Sequence, residues 1–331
     1  MSTLADKMIV RSAALVMFVR HWQATINFWR HVGRLPKLCP PVRHNDKFYW
    51  RKTFDHNPDF EIFCNKLACK DWVRQRCPDL PIPATLWHGT SARDIPGNLL
   101  TRAGFIKANN GSGYNIRLDG QPVDRKSIEN RFSRWLSRPF GQANSEWGYR
   151  SVPRTVFIEE IITRPGGTAP VMMNIFAAGG EPAAVYCVTG WKDSVRLGSF
   201  FNLDGDLIPT APDGKDPLPD DWRPPTGFAK AVEYSRILVH DSDHVRCDFL
   251  CVGDRVWFSE MTPYTLSGLG SFGTSKEEEI VYGKWDLAQS WFLRTGHSGW
   301  RRLYARALHR IMKADRAGSR HNPPFNSRET P

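Results

Sequence analysis

The chain has 331 residues, of which 41% are hydrophobic and 24% charged, and its formal net charge is +11 with a pI near 9.4. This composition is that of a soluble globular protein, long enough for two domains or for one fold with two lobes. The positive charge indicates an attraction to anions such as nucleotides, acidic glycans, phospholipids or nucleic acid. Much of it lies between Arg294 and Arg320, so it does not by itself favour a nucleic-acid-binding core.

The seven cysteines contain no Cys-x-x-Cys pair and leave an odd number. With no recognisable signal peptide, this pattern predicts reduced thiols in the cytoplasm rather than a disulfide framework. The histidines and cysteines also lack the spacing of zinc ligands.

The N-terminal segment from Ile9 to Val32 combines an apolar run, Ala13 to Val19, with Trp22, Trp29 and interspersed arginines and histidines. The uncharged run is far shorter than the ~20 residues that a bilayer span requires. Two alternatives follow. The segment is either a helix packed on the body of the protein, which we favour, or a basic and aromatic helix lying on an anionic membrane surface.

A Pro-rich extended stretch, residues 35–41, precedes a capped helix that begins near Asn45. Apolar residues then recur at helical spacing from Asp59 to Cys77, and Lys66 and Lys70 on this helix are compatible with solvated charges.

Lys107 is predicted to lie where a strand opens into a loop, because Phe105 and Ile106 are followed by Asn-Asn-Gly-Ser-Gly, residues 109–113. Such a loop suits a phosphate. Gly111 and Gly113 allow close backbone approach to an anion, Ser112 adds a hydroxyl and Lys107 a charge. The alternative is a hairpin or loop tip with a solvated lysine.

A helix from Arg125 to Leu136 and a buried strand from Thr155 to Ile162 are predicted next. This strand carries Glu159 and Glu160, which need partners in an apolar run. They are equally compatible with acceptors for ribose hydroxyls and with a salt bridge at a strand edge.

The second half is predicted to be β-rich, with strands at 172–176 and 183–188 joined by a turn, another strand and turn at 199–207, and a helix at 228–239. Residues 209–225 are predicted to form an ordered surface loop. A hairpin follows, in which Arg246, Asp248 and Glu260 converge near one end of two paired strands. The two carboxylates would suit Mg²⁺ beside a guanidinium, and they would equally suit an ordinary salt-bridge cluster.

Taken in order, these segments resemble the TupA-like family of the ATP-grasp superfamily, which is associated with teichuronopeptide and cell-surface polysaccharide assembly in bacteria. The likeness runs from about residue 44 to 293. It is carried by the segments Asn45–Trp50, Asp55–Pro58, Lys66–Lys70, Val73–Arg74, Ile106–Gly113, Glu146–Tyr149, Glu159–Glu160, Val245–Phe249 and Glu260–Pro263.

The resemblance implies an α+β ATP-grasp fold, in which two lobes with antiparallel sheets clamp ATP. It divides the chain into an N-terminal helix and lead-in (1–58), a first lobe (59–162), a second lobe with the Mg²⁺-binding hairpin (163–293), and a basic helix with a disordered tail (294–331). The helix within this last part is expected at 300–317.

The resemblance also implies roles for individual residues. Lys70 and Lys107 would hold the phosphates of ATP, and Gly111, Ser112 and Gly113 would cover them. Glu159 or Glu160 would meet the adenosine, Asp248 and Glu260 would bind Mg²⁺, and Arg246 would stabilise charge on the transferring groups, a catalytic role shared with Lys107. Two places depart from the family pattern: Cys69 replaces an Asp, and Met172–Asn174 replaces Asp-Tyr-Lys. Relatives elsewhere in the superfamily have an Asn where Thr262 stands, whereas the closer family also tends to have Thr.

The expected function is therefore that of an ATP- and Mg²⁺-dependent carboxylate–amine ligase acting through an acylphosphate, with substrates linked to a glycan or peptide. The alternative is a degenerate ATP-grasp protein that binds nucleotide or glycan as an assembly partner. A nucleic-acid-binding role, suggested by the basic residues 301–320, is not expected. The expected location is the cytoplasm, with peripheral contact to the inner membrane face or to envelope-biosynthesis enzymes.

Overall fold

The structure is a computed structural model that describes residues 2–191, 195–209, 216–271 and 275–319. Within these ranges, α-helices surround two separate antiparallel β-sheets. The helices are α1 (Leu4–Arg20), α2 (Trp22–Val32), α3 (His44–Thr53), α4 (Asp59–Cys64), α5 (Lys66–Arg76), α6 (Gly97–Leu100), α7 (Arg125–Ser137), α8 (Phe228–Val239), α9 (Ser275–Tyr282), α10 (Trp291–Arg294) and α11 (Gly299–Ser319). The strands are β1 (Thr85–Gly89), β2 (Gly104–Ala108), β3 (Asn115–Leu118), β4 (Val156–Glu159), β5 (Val171–Ala178), β6 (Glu181–Thr189), β7 (Leu197–Phe201), β8 (Leu207–Ile208), β9 (His244–Val252) and β10 (Arg255–Thr262).

The smaller sheet has four strands in the order β1-β4-β2-β3. Its core includes Ile106 and Ile158, which pack with Ile128 and Phe132 of α7. As predicted, β2 ends directly after Lys107, and the polar loop follows. Strand β4 is shorter than predicted, because Glu159 already lies opposite the first residue of β1 and near the start of β2, so the chain beyond it has no strand to pair with.

The larger sheet has six strands in the order β10-β9-β5-β6-β7-β8. Strand β5 continues two residues beyond the predicted Phe176, because the connection to β6 needs only Gly179 and Gly180. Both glycines adopt positive φ angles, 65° and 80°, and this conformation fits the twist of a two-residue hairpin turn. The helix predicted at 228–239 is confirmed as α8, whereas part of the predicted 209–225 loop lies outside the described residues.

The larger sheet is covered on both faces. One face, with Met173, Cys247 and Phe249, packs against α5 and α8, and the other, with Phe176 and Tyr186, packs against the helices near both ends of the chain. Helices α4 and α5 thus share a core with the larger sheet, although their residues belong to the first lobe in the division expected from the sequence. The lobe boundaries themselves stay a prediction.

The N-terminal segment forms two helices, α1 and α2, that meet at His21. Val10, Ala14 and Met17 on the inner face of α1 are buried, and α1 packs along α11. Arg310 of α11 donates from Nε to Asp6 Oδ1 at 3.0 Å. The segment therefore packs on the body, as favoured above.

The C-terminal helix α11 is slightly longer than predicted, and the predicted disordered tail lies, from residue 320 onwards, outside the described residues. Among the described residues, no helix combines the length and apolar character that crossing a bilayer requires.

Candidate active site

Two lysines of the predicted phosphate site converge on one carboxylate. Lys107 of β2 and Lys70 of α5 both form ion pairs with Glu159, Lys70 with Oε2 at 2.6 Å. Lys70 also donates to Pro83 O at 2.8 Å and to Thr85 Oγ1 at 3.2 Å. Lys107 reaches Glu159 because the two residues lie diagonally across the β2–β4 pairing, on one face of the sheet.

Burial and pairing set the charges of this group. Burial alone would raise the pKa of Glu159, but Lys107 and Lys70 lower it below its usual value. Burial lowers the pKa of Lys70, and the attraction of Glu159 opposes that shift. The shared Glu159 carboxylate thus offsets part of the repulsion between the two lysines and holds them close together.

The loop after β2 is anchored at its base and exposed at its tip. Asn109 Oδ1 accepts from the backbone N–H of Leu67 at 3.1 Å, and Lys66 donates to the carbonyl oxygen of Gly111. Gly111 is buried and would bring a Cβ within 2.9 Å of the Tyr114 ring, whereas Ser112 and Gly113 are exposed. An anchored loop with an exposed Gly-Ser-Gly tip is suited to fold over a ligand that enters the cleft.

On the larger sheet, Asp248 of β9 lies directly opposite Glu260 of β10. Strict alternation along β10 would place Glu260 on the other face, with Val256 and Phe258. A β-bulge between Phe258 and Glu260 inserts Ser259 and restores Glu260 to the face of Asp248. The predicted convergence of Asp248 and Glu260 is therefore correct, but it depends on a bulge that strict alternation does not predict.

Arg246 holds the hairpin carboxylates together. Its Nε donates to Asp248 Oδ1 at 2.7 Å and its Nη2 to Asp248 Oδ2 at 2.6 Å, a bidentate pair, and Nη2 lies 3.4 Å from Glu260 Oε1. Thr262 Oγ1 accepts from the same nitrogen at 3.4 Å. Burial opposes the charge of Arg246, but Asp248 and Glu260 raise its pKa above the ordinary value. The guanidinium is therefore permanently charged.

The pKa of Glu260 on the larger sheet depends on charges from other parts of the site. Burial would raise the pKa of Glu260, but Lys66, Arg246 and Lys107 lower it. Lys66 belongs to α5 and Lys107 to the smaller sheet, so charges from outside the larger sheet act on one of its carboxylates. The phosphate-binding candidates thus lie near the metal-binding candidates.

The donor set fits Mg²⁺. Magnesium is usually held by one or two carboxylates, with waters and substrate phosphates completing its shell. Asp248 and Glu260 provide two carboxylates on one face, and Asn174 of β5 pairs with Asp248 on the same face. The described ranges contain no group of three or more His, Cys, Asp or Glu side chains that could hold an ion by themselves, so phosphate oxygens would have to complete the site.

Glu160 is placed differently from its neighbour. Its Oε1 accepts the backbone N–H of Ala84 at 2.8 Å, at the edge of the smaller sheet, and it contacts neither lysine.

The helical spacing by itself favours solvated charges for Lys66 and Lys70, but this prediction is wrong. Lys70 is buried and paired with Glu159, and Lys66 donates to the carbonyl oxygen of Gly111. No contact was predicted for Asn174 from the sequence. The contact of Lys66 with the glycine loop was not readable from helical periodicity, because it depends on how α5 packs against the strands.

A profile of the TupA-like ATP-grasp family matches residues 46–284. The chain belongs to this family. The match confirms both the family expected from the sequence and the α+β ATP-grasp fold, with its two antiparallel sheets and flanking terminal helices. A search of curated proteins found no match.

Solved structures with a similar fold include three proteins. The D-alanine–D-alanine ligase from Bacillus anthracis complexed with ATP is 12% identical, with a TM-score of 0.39, and the match covers 78% of this chain and 68% of that one. The ATP-grasp ligase PsnB complexed with a minimal precursor is 10% identical, with a TM-score of 0.35 and coverage of 77% and 62%. The macrocyclase MdnC from Microcystis aeruginosa, bound to the precursor peptide MdnA, is 11% identical, with a TM-score of 0.36 and coverage of 78% and 64%. The present chain thus matches less than two thirds of the length of PsnB and of MdnC.

Proposed function

We propose that this TupA-like ATP-grasp protein is an ATP- and Mg²⁺-dependent ligase that joins a carboxylate to an amine. One observation carries the proposal. Lys107 and a glycine loop from the smaller sheet, with Lys70 of α5 bound to the same Glu159, lie near an Arg-bound pair of carboxylates on the larger sheet. Phosphoryl transfer needs this arrangement, because the protein contributes positioning and charge neutralisation rather than covalent chemistry.

On the side of the smaller sheet, Lys70 and Lys107 would exchange Glu159 for the phosphates of ATP. The backbone N–H groups of Gly111, Ser112 and Gly113 would then close over those phosphates. Glu159, once released, or Glu160 at the sheet edge would accept hydrogen bonds from the adenosine.

On the side of the larger sheet, Asp248 and Glu260 would hold Mg²⁺, which when bound neutralises phosphate charge. Arg246 lies beside both carboxylates and would stabilise the negative charge that develops on the transferring phosphoryl and acyl groups. The bidentate contact with Asp248 fixes the orientation of the guanidinium beside the proposed metal site.

The proposed reaction has two steps. The substrate carboxylate oxygen attacks the terminal phosphorus of ATP, which breaks the bond to ADP and forms an acylphosphate. The amine then attacks the acyl carbon, and inorganic phosphate leaves as the amide forms. Similarity to a D-alanine–D-alanine ligase and to PsnB agrees with this class of reaction but identifies neither the acid nor the amine.

The proposed setting is bacterial cell-surface polymer synthesis in the cytoplasm, with acceptors linked to a glycan or peptide. The outer faces of α1 and α2 favour contact with an anionic membrane. Leu15, Val19 and Trp29 are 64%, 77% and 56% exposed. Exposed basic residues accompany them, which is the pattern of a helix that lies at a lipid surface. The basic residues are Lys7, Arg11 and Arg30.

Membrane contact is tested by co-sedimentation with vesicles. The protein should sediment with vesicles containing phosphatidylglycerol and stay in solution with pure phosphatidylcholine. Val19→Ser combined with Trp29→Ser should abolish sedimentation, whereas Ile237→Ser, on the half-exposed face of α8, should not. Equal sedimentation of both variants would remove this part of the proposal.

The ligase proposal is tested first by calorimetry with a non-hydrolysable ATP analogue and Mg²⁺. Binding should be lost in Lys107→Ala and in Asp248→Asn, and should persist in Lys126→Ala, which removes an exposed lysine of α7. ADP release should then depend on an added carboxylate. Absence of binding by the folded wild type, or ADP release that ignores every carboxylate, would contradict the proposal.

One observation favours the alternative of a degenerate, non-catalytic protein. Asn174 lies opposite Asp248 where the family pattern has a charged residue, so the centre of the site has lost a charge. Glu260→Gln distinguishes the two functions. Measurable turnover that disappears in this variant would exclude the non-catalytic role.

A further inference from the structure

A cavity lies beside the proposed ATP site, and the ligase proposal assigns it no role. Its volume is about 430 Å³, within the range of small-molecule pockets. The walls come from the junction of α1 and α2, the end of α3, the segment 139–154 and the start of α11. The N- and C-terminal helices thus contribute to it, although they lie largely outside the family match.

The lining is strongly cationic. Among the described residues that line it, Glu146 is the only acid, and it faces Lys52. Arg20, Arg150 and Arg301 form no ion pair with a carboxylate in the described part of the chain. Five cationic side chains line the cavity in all: Arg20, Lys52, Arg150, Arg154 and Arg301.

Burial and these cationic side chains lower the pKa values of two histidines. Burial, followed by the charges of Arg20, Arg150 and Lys52, lowers the pKa of His21. Burial, together with Arg301 and other cations, lowers the pKa of His56 to about 4. Both rings are therefore neutral at pH 7, and an anion that entered would meet arginines that lack a carboxylate partner.

The cavity also offers flat apolar surfaces and unsatisfied polar atoms. Trp22 and Trp300, which line it, are 58% and 50% exposed, and the indole of Trp147 lies tilted against His56, with ring centroids 4.7 Å apart. Trp147 Nε1 and Asn110 Oδ1 are buried with no hydrogen-bond partner among the described residues. Aromatic faces suit the C–H face of a sugar ring, and one free donor and one free acceptor suit its hydroxyls.

The cavity adjoins the phosphate loop. Asn110 lines it and is followed directly by Gly111 of the loop. Tyr149 also lines it, and the charge of Glu260 contributes, after burial, to raising the pKa of Tyr149. The cavity wall is therefore within electrostatic range of the proposed metal carboxylates.

We propose that this cavity binds the acid substrate, and that this substrate is a carboxylate-bearing sugar whose ring lies on the tryptophans and whose negative charge is held by Arg20, Arg150 and Arg301. The identification of the bound acid as a substrate rests on the proposed ligase function. Binding itself depends only on the cavity.

The test uses the full chain and two matched probes, D-glucuronate and neutral methyl α-D-glucoside, in ligand-observed NMR titrations without nucleotide. Glucuronate should bind at least tenfold more tightly than the glucoside. Arg150→Gln combined with Arg301→Gln should weaken glucuronate binding at least tenfold, and Trp300→Ala should weaken both probes. Arg236→Gln, on α8 outside the cavity, should change neither.

The ATP analogue is titrated in parallel to separate the two proposals. Glucuronate binding that is lost in the arginine variant, while ATP-analogue binding is kept, supports the assignment. If the analogue binds but glucuronate does not, or if inorganic phosphate competes as well as glucuronate, the sugar-acid assignment fails and the ligase proposal stands. If glucuronate binds and the analogue does not, the ligase proposal fails and the cavity is a sugar-acid site without an ATP partner.

Discussion

Replacing Glu159 with glutamine tests the charge balance of the proposed nucleotide site. The substitution keeps the size of the side chain but leaves Lys70 and Lys107 without their shared carboxylate. Removing one partner of a buried ion pair costs about 3–5 kcal/mol. Lys70 keeps two neutral acceptors, and the Lys107 side chain is 20% exposed, so we expect the lower end, about 3 kcal/mol.

Thermal unfolding measures this cost. At roughly 2–4 °C per kcal/mol, the value for domains of about 150–250 residues, Glu159→Gln should lower the melting temperature by about 6–12 °C. Glu160→Gln is the matched control, because within the described ranges its carboxylate binds a backbone N–H and no lysine or arginine, and it should shift the melting temperature by about 2 °C or less. The ATP analogue with Mg²⁺ should restore more stability to Glu159→Gln than to wild type, since its phosphates would replace the missing negative charge.

Two results would refute the reasoning. Equal melting temperatures of the two variants would show that Glu159 does not hold the lysines in solution. A larger loss of nucleotide affinity than of stability would assign Glu159 to the adenosine rather than to the lysines.

Three further predictions concern other parts of the molecule. Lys66→Met should weaken binding of the ATP analogue about tenfold in calorimetry, because it removes a charged hydrogen bond to the glycine loop. Burial already disfavours the charge of Lys66, so removing that charge offsets part of the lost hydrogen bond and the melting temperature should fall little. An unchanged affinity would mean that Lys66 only supports α5. Gly148→Ala should lower the free energy of unfolding in urea by about 1–3 kcal/mol, because its Cβ would lie 2.8 Å from Phe60 O. Gly97→Ala, where the added Cβ meets open space, should leave that free energy unchanged. Similar losses in the two variants would contradict the packing around Gly148. The pKa of Glu278 is lowered to about 2, chiefly by its hydrogen bond with His44, so this pair stabilises the fold above the ordinary carboxyl pKa. Glu278→Gln should therefore cost about 1–2 kcal/mol at pH 7, a difference that shrinks as the pH falls from 4.5 towards 2 and that a pH series of urea unfolding curves would reveal.

The sequence predicted the parts of the fold that depend on local patterns. The helix at 228–239 and the hairpin around Gly253 are found where periodicity and turn residues placed them. Lys107 also lies at the strand end that its neighbours indicate, because two apolar residues and a glycine-rich turn are a local signal.

The remainder depends on contacts that no local pattern specifies. The bulge at Ser259 has no glycine or proline to mark it, yet it decides which face carries Glu260. The sharing of Glu159 between Lys70 and Lys107 joins a helix to two strands, and the break between α1 and α2 at His21 depends on packing against distant helices. The roles expected for Lys107, Arg246, Asp248 and Glu260 stay predictions until ligand binding is measured.

The pairing of α1 with α11 has a consequence for synthesis of the chain. Asp6 and Arg310 are separated by about 300 residues, so the inner face of α1, with Val10 and Met17, lacks the part of its packing that α11 provides until that helix has left the ribosome. Unpaired apolar surface on a growing chain is prone to aggregation. Truncation after residue 298, which removes α11, should therefore expose this face of α1 and lower the solubility of the product.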